Sequence, residues 1–320
     1  MHLLPLGLIA VVALGVWSIF VGVSDISPHT ILEAGWSDPS TQILLESRLP
    51  RTLALILAGS AMAVSGTILQ MLVRNRFAEP STVGTAEATK LGFLIVLILV
   101  PDASILVRLI SAAAFALLVT ALFIRILRQI SLEPPLIVPL VGILLGGVLN
   151  AAAAFLAYRF DLMQSLAAWG NGDFSMILRG RYELLWLAFA LTALAYAFAD
   201  RFTVAGLGEN FTTNLGLDYR SVVMLGLVIV SVVTAVVIVT VGMIPFLGLV
   251  VPNLVSLMLG DNVRRSLPWV AILGAALVLV CDILGRIVNA PYEIPVGTML
   301  GVLASALFLY LLLRRHAHLA

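Results

Sequence analysis

The sequence predicts an all-α polytopic membrane protein of about ten transmembrane helices, and three observations carry that prediction. Of the 320 residues, 61% are hydrophobic and only 11% are charged. The charges cluster between apolar runs of roughly 20 residues, the length a helix needs to cross a hydrocarbon core. These runs do not alternate apolar with polar residues as the strands of a membrane barrel do. A bilayer offers backbone groups no water, so only helices or a closed barrel can span it. The missing alternation leaves helices.

The spans lie near residues 3–23, 49–72, 82–100, 104–127, 136–158, 183–200, 220–241, 245–260, 267–284 and 295–313. The first lacks a basic segment before it and a small-x-small cleavage site after it, so it reads as a retained helix rather than a signal peptide. The second opens on Arg48-Leu49-Pro50-Arg51 and contains Gly59, Ser60, Ser65 and Gly66, small residues that let helix backbones approach closely. It ends in a polar knot, RNRFAEPST. The third carries Glu87 and Lys90 at i,i+3 spacing, which lets them pair on one helix face. An unpaired charge there is expensive, so a salt bridge is the first reading; Lys90, the chain's one lysine, facing an anionic ligand is the second. Asn150, in the fifth span, either bridges helices or lines a polar path. The eighth span is short and abuts a Gly- and Pro-rich turn. The ninth carries Asp282 and Arg286 at i,i+4, a pairing distance. No long hydrophilic insert interrupts the chain, and residues 1–320 read as one transmembrane domain.

Several function classes drop out. A net charge of +1 gives no case for nucleic acid. The lone Cys281 cannot form an intrachain disulfide and reads as a packing residue. No His/Asp/Glu cluster has metal or nucleophile spacing. No G-x-x-x-x-G-K-[ST] loop is present, so the chain should not bind ATP itself. The arginines orient the bundle. With both termini in the cytoplasm, the inner side holds Arg74, Arg76, Arg125, Arg128, Arg201, Arg220, Arg264, Arg265, Arg314 and Arg315. The outer side holds fewer: Arg48, Arg51, Arg108, Arg159, Arg179, Arg181 and Arg286.

Motif order then points further. Arg48-Leu49-Pro50-Arg51, Ser65-Gly66…Gln70 and Asn75-Arg76-Phe77-Ala78-Glu79-Pro80…Gly84 follow one another. Gly242 to Pro252 supplies Gly242, Ile244, Phe246, Gly248, Leu249 and Pro252, and the closing span begins Glu293-Ile294-Pro295-Val296-Gly297. Together these resemble permease subunits of the iron-siderophore and vitamin B12 uptake family of ABC importers. Asn253 departs from the pattern, where the family usually has His, and Thr213 stands where it usually has a small residue.

The resemblance implies partners and roles. A second permease subunit, identical or a sister chain, would complete the pathway. Two ATPase subunits would carry ATP and Mg, with no cofactor on this chain, and a periplasmic or lipid-anchored binding protein would deliver substrate. The setting would be the bacterial inner membrane. The inner loop, about 201–219, would be the ATPase coupling element through Leu207, Gly208, Glu209, Leu215, Gly216 and Leu217. There Gly206 and Gly208 break the preceding helix, and Glu209 to Leu215 can form a short helix ended by Gly216. Arg48, Arg51 and Arg286 would receive glutamates of the binding protein, with Arg179 and Arg181 as further candidates; Arg–carboxylate contacts suit specific, reversible docking. The wording around Glu87 and Lys90 is similar to a branch that takes up catecholate-type ferric chelates. Substrates implied are a ferric siderophore or, alternatively, vitamin B12 or haem. From another class, an ion-coupled secondary transporter would use Glu87, Lys90 and Asp282 as a charge relay.

Overall fold

The helix at the centre of the bundle is the one richest in buried small residues. The structure, a computed structural model, describes residues 4–22, 38–130 and 136–316. Its helices are α1 (Leu4–Phe20), α2 (Pro39–Val73), α3 (Thr85–Leu99), α4 (Ile105–Leu127), α5 (Ile137–Arg159), α6 (Met163–Trp169), α7 (Leu185–Ala197), α8 (Ala199–Ala205), α9 (Glu209–Asn214), α10 (Tyr219–Val241), α11 (Leu247–Leu259), α12 (Val263–Val288) and α13 (Val296–His316). Among the described residues there is no strand. The apolar stretch of α2 is 89% buried, against 22% for that of α5, so α2 forms the axis and α5 the periphery. Around α2 pack α1, α7, α10, α11 and α12. Its small residues explain the closeness: a Cβ on Gly59 would sit 2.8 Å from the Gly274 carbonyl oxygen of α12. Packing through small residues brings backbones together where lipid supplies no hydrophobic drive between helices.

Proline shapes the start of α2. Pro50 has no N–H, and the turn before it, Leu44–Arg48, widens into a π-helix. The carbonyl of Glu46, which a residue at position 50 would otherwise engage, instead accepts the backbone N–H of Arg179 at 2.9 Å. The helix therefore begins ten residues before the expected span, and its opening is tied to the 170–184 loop. Other helices start on side-chain caps: Asp218 accepts from the Arg220 N–H at 3.0 Å ahead of α10, and Asn262 from the Arg265 N–H at 3.1 Å ahead of α12.

Each of the ten expected spans corresponds to a helix. Five (α2, α4, α5, α10, α12) are long and apolar enough to cross a membrane, and α7 with α8 makes a sixth if their 66° bend lies within one span. That bend was not expected; it turns the chain at Phe198 into α8, so the inner loop is partly helical. With 15 and 13 residues, α3 and α11 reach only ~22 and ~20 Å. Non-helical stretches, 74–84 and 242–246, complete them, and such backbone is tolerated at depth only where protein covers it.

Candidate functional site

One proline-dictated contact and one buried carboxylate organise the middle of the bundle. Pro252 sits inside α11 and cannot bond the carbonyl of Gly248. That orphan oxygen accepts the side-chain amide of Gln70 at 3.1 Å. Gly66, one turn earlier on the same face of α2, makes room: a Cβ there would lie 2.2 Å from the same Gly248 oxygen. The loop after α2 then climbs back into the bundle. Fully buried Glu79 accepts the Phe246 N–H at 3.0 Å through the oxygen that also takes the Ser81 hydroxyl, so a carboxylate closes the amino end of α11. Lower down, Asn253 donates to the Arg76 carbonyl at 2.8 Å and the Leu249 carbonyl at 2.6 Å. The Ser-Gly…Gln, Ala-Glu-Pro and Gly-Leu…Pro stretches are thus one packed unit.

This climb moves the intramembrane pair. Lys90 Nζ lies 3.8 Å from Glu87 Oε1, and both side chains are mostly buried. Glu87 faces α5 at Gly146, whose Cβ, if present, would be 3.5 Å from Oε2. Gly146 is roughly 14 Å along α5 from its start, so the pair lies well inside the bundle. Glu87 Oε2 is buried without a hydrogen bond. Asn150 is exposed on the outward side of α5 and does not meet this pair.

At one end of the bundle the three arginines singled out in the sequence converge, but not on solvent. Arg51 bonds Asp282 Oδ1 through Nε (3.0 Å) and Nη2 (2.7 Å), and Glu293 through Nη1 at 2.8 Å. Arg286 takes the other oxygen of Asp282, the Ser18 hydroxyl at 2.6 Å, and the carbonyls of Ser18 (3.0 Å) and Val21 (2.6 Å). Arg48 donates to the Ile19 carbonyl at 2.8 Å. The last turn of a helix leaves carbonyls without partners and carries partial negative charge. Arg48 and Arg286 satisfy those at the end of α1. Asp282, buried at 1% exposure, holds two guanidinium groups at once. Arg51, through Nη1, also reaches a partly exposed carboxylate, that of Glu293. Arg179 reaches Glu46 at 3.4 Å. Asp282 as the shared partner and Glu293 as the outer one are what the spacing of residues could not disclose, because α2 and the 282–293 segment are far apart in sequence.

At the opposite end lies the segment 201–219. After α8, Gly206 ends the helix and Gly208, at φ +110° and ψ 167°, holds a backbone conformation open to glycine alone. A Cβ there would also meet the Arg74 guanidinium at 3.0 Å. The α9 helix follows, anchored by buried Thr212, whose hydroxyl bonds the Gly208 carbonyl at 2.7 Å and Val204's at 3.2 Å. Gly216, at φ +79°, ends it, with the Leu217 N–H on the Thr212 carbonyl at 3.1 Å. Its outer surface is apolar: Leu207, Phe211 and Leu215 are 60%, 53% and 58% exposed. The i, i+4, i+8 spacing of these three was readable, and Phe211 is the member sequence reasoning missed. Beside this ridge Arg76 pairs with Asp261 at 2.6 Å and Arg264 with Asp200 at 2.5 Å. A cavity of about 380 Å³ between α2, α8, α11 and α12 is lined by Gln70, Arg74, Asn253 and Ser256 among others.

Among the described residues no group of three or more His, Cys, Asp or Glu could hold a metal. The arrangement is an arginine cluster at one end, an exposed apolar ridge at the other and a packed unit between them. Comparison with known proteins gives this arrangement its setting. The model of the FecCD transport family matches residues 9–314. The petrobactin import system permease protein YclN of Bacillus subtilis is 47% identical over 310 residues, covering 97% of this chain and 98% of that one. The ferric-anguibactin transport system permease protein FatD of Vibrio anguillarum is 41% identical, covering 93% and 94%. A solved chain of an inward-facing metal-chelate type ABC transporter superposes with a TM-score of 0.82, over 98% of this chain and 99% of that one, at 22% identity. The chain is a polytopic helical membrane protein that belongs to the FecCD transport family.

Proposed function

We propose that this chain is the permease subunit of an ABC importer that brings a ferric siderophore into the cytoplasm. The observation that carries the reading is the ridge of Leu207, Phe211 and Leu215, three large apolar side chains exposed on the short helix α9 and just before and after it. Exposed apolar clusters of this kind mark protein interfaces, and a transport permease without a phosphate loop needs an ATPase. The ridge and the inner-end cavity beside it receive that subunit, which holds ATP and Mg. Closure of two such ATPases pushes α9, and Arg74 beside Gly208 passes the displacement to α2 and so to the Gln70–Gly248–Glu79 unit. The bundle then exchanges inward and outward states, and no bond in the substrate is broken.

A second permease, identical or a sister chain, faces the outward side of α5, where Asn150 lies. Both termini are cytoplasmic, in a bacterial inner membrane. A binding protein docks at the arginine end. Its carboxylates meet Arg51 by displacing Glu293, while Arg48 and Arg286 hold the surface in shape. The substrate class follows from the relatives whose names specify petrobactin and anguibactin, and buried Lys90 suits an anionic chelate. The test is reconstitution with candidate ATPase and binding protein, followed by ATP-driven uptake of ferric petrobactin, ferric anguibactin, vitamin B12 and haemin. Uptake of a ferric siderophore that needs ATP and the binding protein is expected. Preference for vitamin B12 or haemin would reassign the substrate, and uptake by this chain alone on an ion gradient would overturn the importer.

A further inference from the structure

A second cavity takes no part in the function proposed above. It measures about 670 Å³ and lies at the arginine end, between the start of α4, the start of α7, the end of α10 and the 173–183 loop. Its polar lining is Arg108, Arg181, Asp173 and Glu183. Arg108 gives one N–H to the Pro101 carbonyl at 2.6 Å, but its Nε is buried with no hydrogen-bond partner. Arg181 is exposed and its guanidinium has no hydrogen bond or ion pair among the described residues. Asp173 and Glu183 each engage one oxygen on a local backbone N–H, of Ser175 at 2.8 Å and Gly180 at 2.7 Å. The other oxygens are left for a further donor.

Apart from Thr240, whose hydroxyl donates to the Val236 carbonyl at 2.7 Å, the rest of the lining is apolar, with Ile105, Met176, Leu184 and Val239. That wall continues into the outward faces of α4 and α7, where Leu106, Ile110, Trp186 and Leu187 are all exposed. Such faces, in a membrane bundle, meet acyl chains, and tryptophan near a helix end sits at headgroup level. A ligand here therefore needs a charged head and an apolar body. Two guanidinium groups call for a phosphate, which they bind through charge-assisted hydrogen bonds. Two carboxylates in the same cavity repel a head that is only anionic and favour one that also carries a cation. We infer that this cavity is a binding site for a zwitterionic phospholipid of the phosphatidylethanolamine type. Its phosphate meets Arg108 and Arg181, its ammonium meets Asp173 and Glu183, and its chains lie along α4 and α7.

The test is native mass spectrometry of the purified chain equilibrated with phosphatidylethanolamine, phosphatidylglycerol or phosphatidylcholine, with soluble glycerophosphoethanolamine as a separate arm. Arg181→Ala and Asp173→Asn alter exposed groups, and protection of the buried Cys281 thiol checks that both variants stay folded. Retention of phosphatidylethanolamine above the other two lipids is expected, with roughly tenfold weaker retention in Arg181→Ala, the loss of one charge-assisted bond. Asp173→Asn should erase the preference over phosphatidylglycerol. Equal retention in wild type and variants, or equal retention of all three lipids, would overturn the site. So would binding of the soluble headgroup as tight as that of the lipid, which would make it a site for a soluble phosphoester. If Arg181→Ala keeps the lipid but weakens association with the binding protein, the cavity rim belongs to docking instead.

Discussion

Replacing Gln70 by Leu tests the pivot at its narrowest point. The Gly248 carbonyl lost its helical partner to Pro252 and has the Gln70 amide at 3.1 Å in its place. Gln70 is 6% exposed, and a leucine in its place has no N–H to offer the carbonyl. A buried carbonyl left unsatisfied costs about 1–3 kcal/mol, and Gln70→Leu should destabilise by that amount. The same loss should shrink if position 252 can donate. Pro252→Ala restores an N–H four residues after Gly248, so the double variant should recover most of the penalty. The coupling between the two changes should reach roughly 1 kcal/mol or more. Unfolding can be followed with a thiol-reactive dye, because the chain has one cysteine, Cys281, and it is fully buried. If Gln70→Leu costs the same with Pro or Ala at 252, the proline is not the reason for the glutamine, and the reasoning fails.

Further expectations follow the same logic. Gly66→Ala drives a Cβ to 2.2 Å from the Gly248 oxygen and should lose ~3 kcal/mol or more, whereas Gly15→Ala, with its nearest contact at 3.5 Å, should change thermal stability by less than ~1 kcal/mol. Asp282→Asn removes the buried anion shared by Arg51 and Arg286 and should cost about 3–5 kcal/mol, read by the same dye; an unchanged midpoint would mean the cluster is solvated. For the intramembrane pair, Glu87→Gln and Lys90→Met should each destabilise more than the double variant, and additive losses would show that the 3.8 Å separation is not an interaction. Phe211→Asp should leave unfolding within ~0.5 kcal/mol, as for an exposed site, yet abolish copurification of the ATPase. Retained copurification would remove the ridge from the interface.

What the sequence disclosed and what it hid divide along the range of the interactions. Apolar length and arginine placement located the helices, and glycines at 206, 208 and 216 bounded α9 within a residue, because those signals are local. The shortness of α11 was readable from its Gly- and Pro-rich flank. Hidden were contacts set by distant segments: the π-turn before Pro50 and its rescue by Arg179, the seating of Glu79 on Phe246, and the sharing of Asp282 by two arginines. The 66° bend at Phe198 was hidden for a different reason. Neither glycine nor proline stands there, and tertiary packing of Ala199 and Phe202 into the core sets the turn.

The arginine end has one more consequence. Arg51 is held simultaneously by buried Asp282 and by the partly exposed Glu293. A carboxylate arriving from a partner enters a competition whose incumbent is already in the molecule. Linkage makes that competition reciprocal: whatever factor Glu293 takes from the partner's affinity, the partner takes from Glu293's hold on Arg51. In the importer proposed above, the segment leading into the tenth span would be latched while the surface is empty and unlatched when it is occupied. Removing the latch with Glu293→Gln should tighten docking at the same time as it loosens that end.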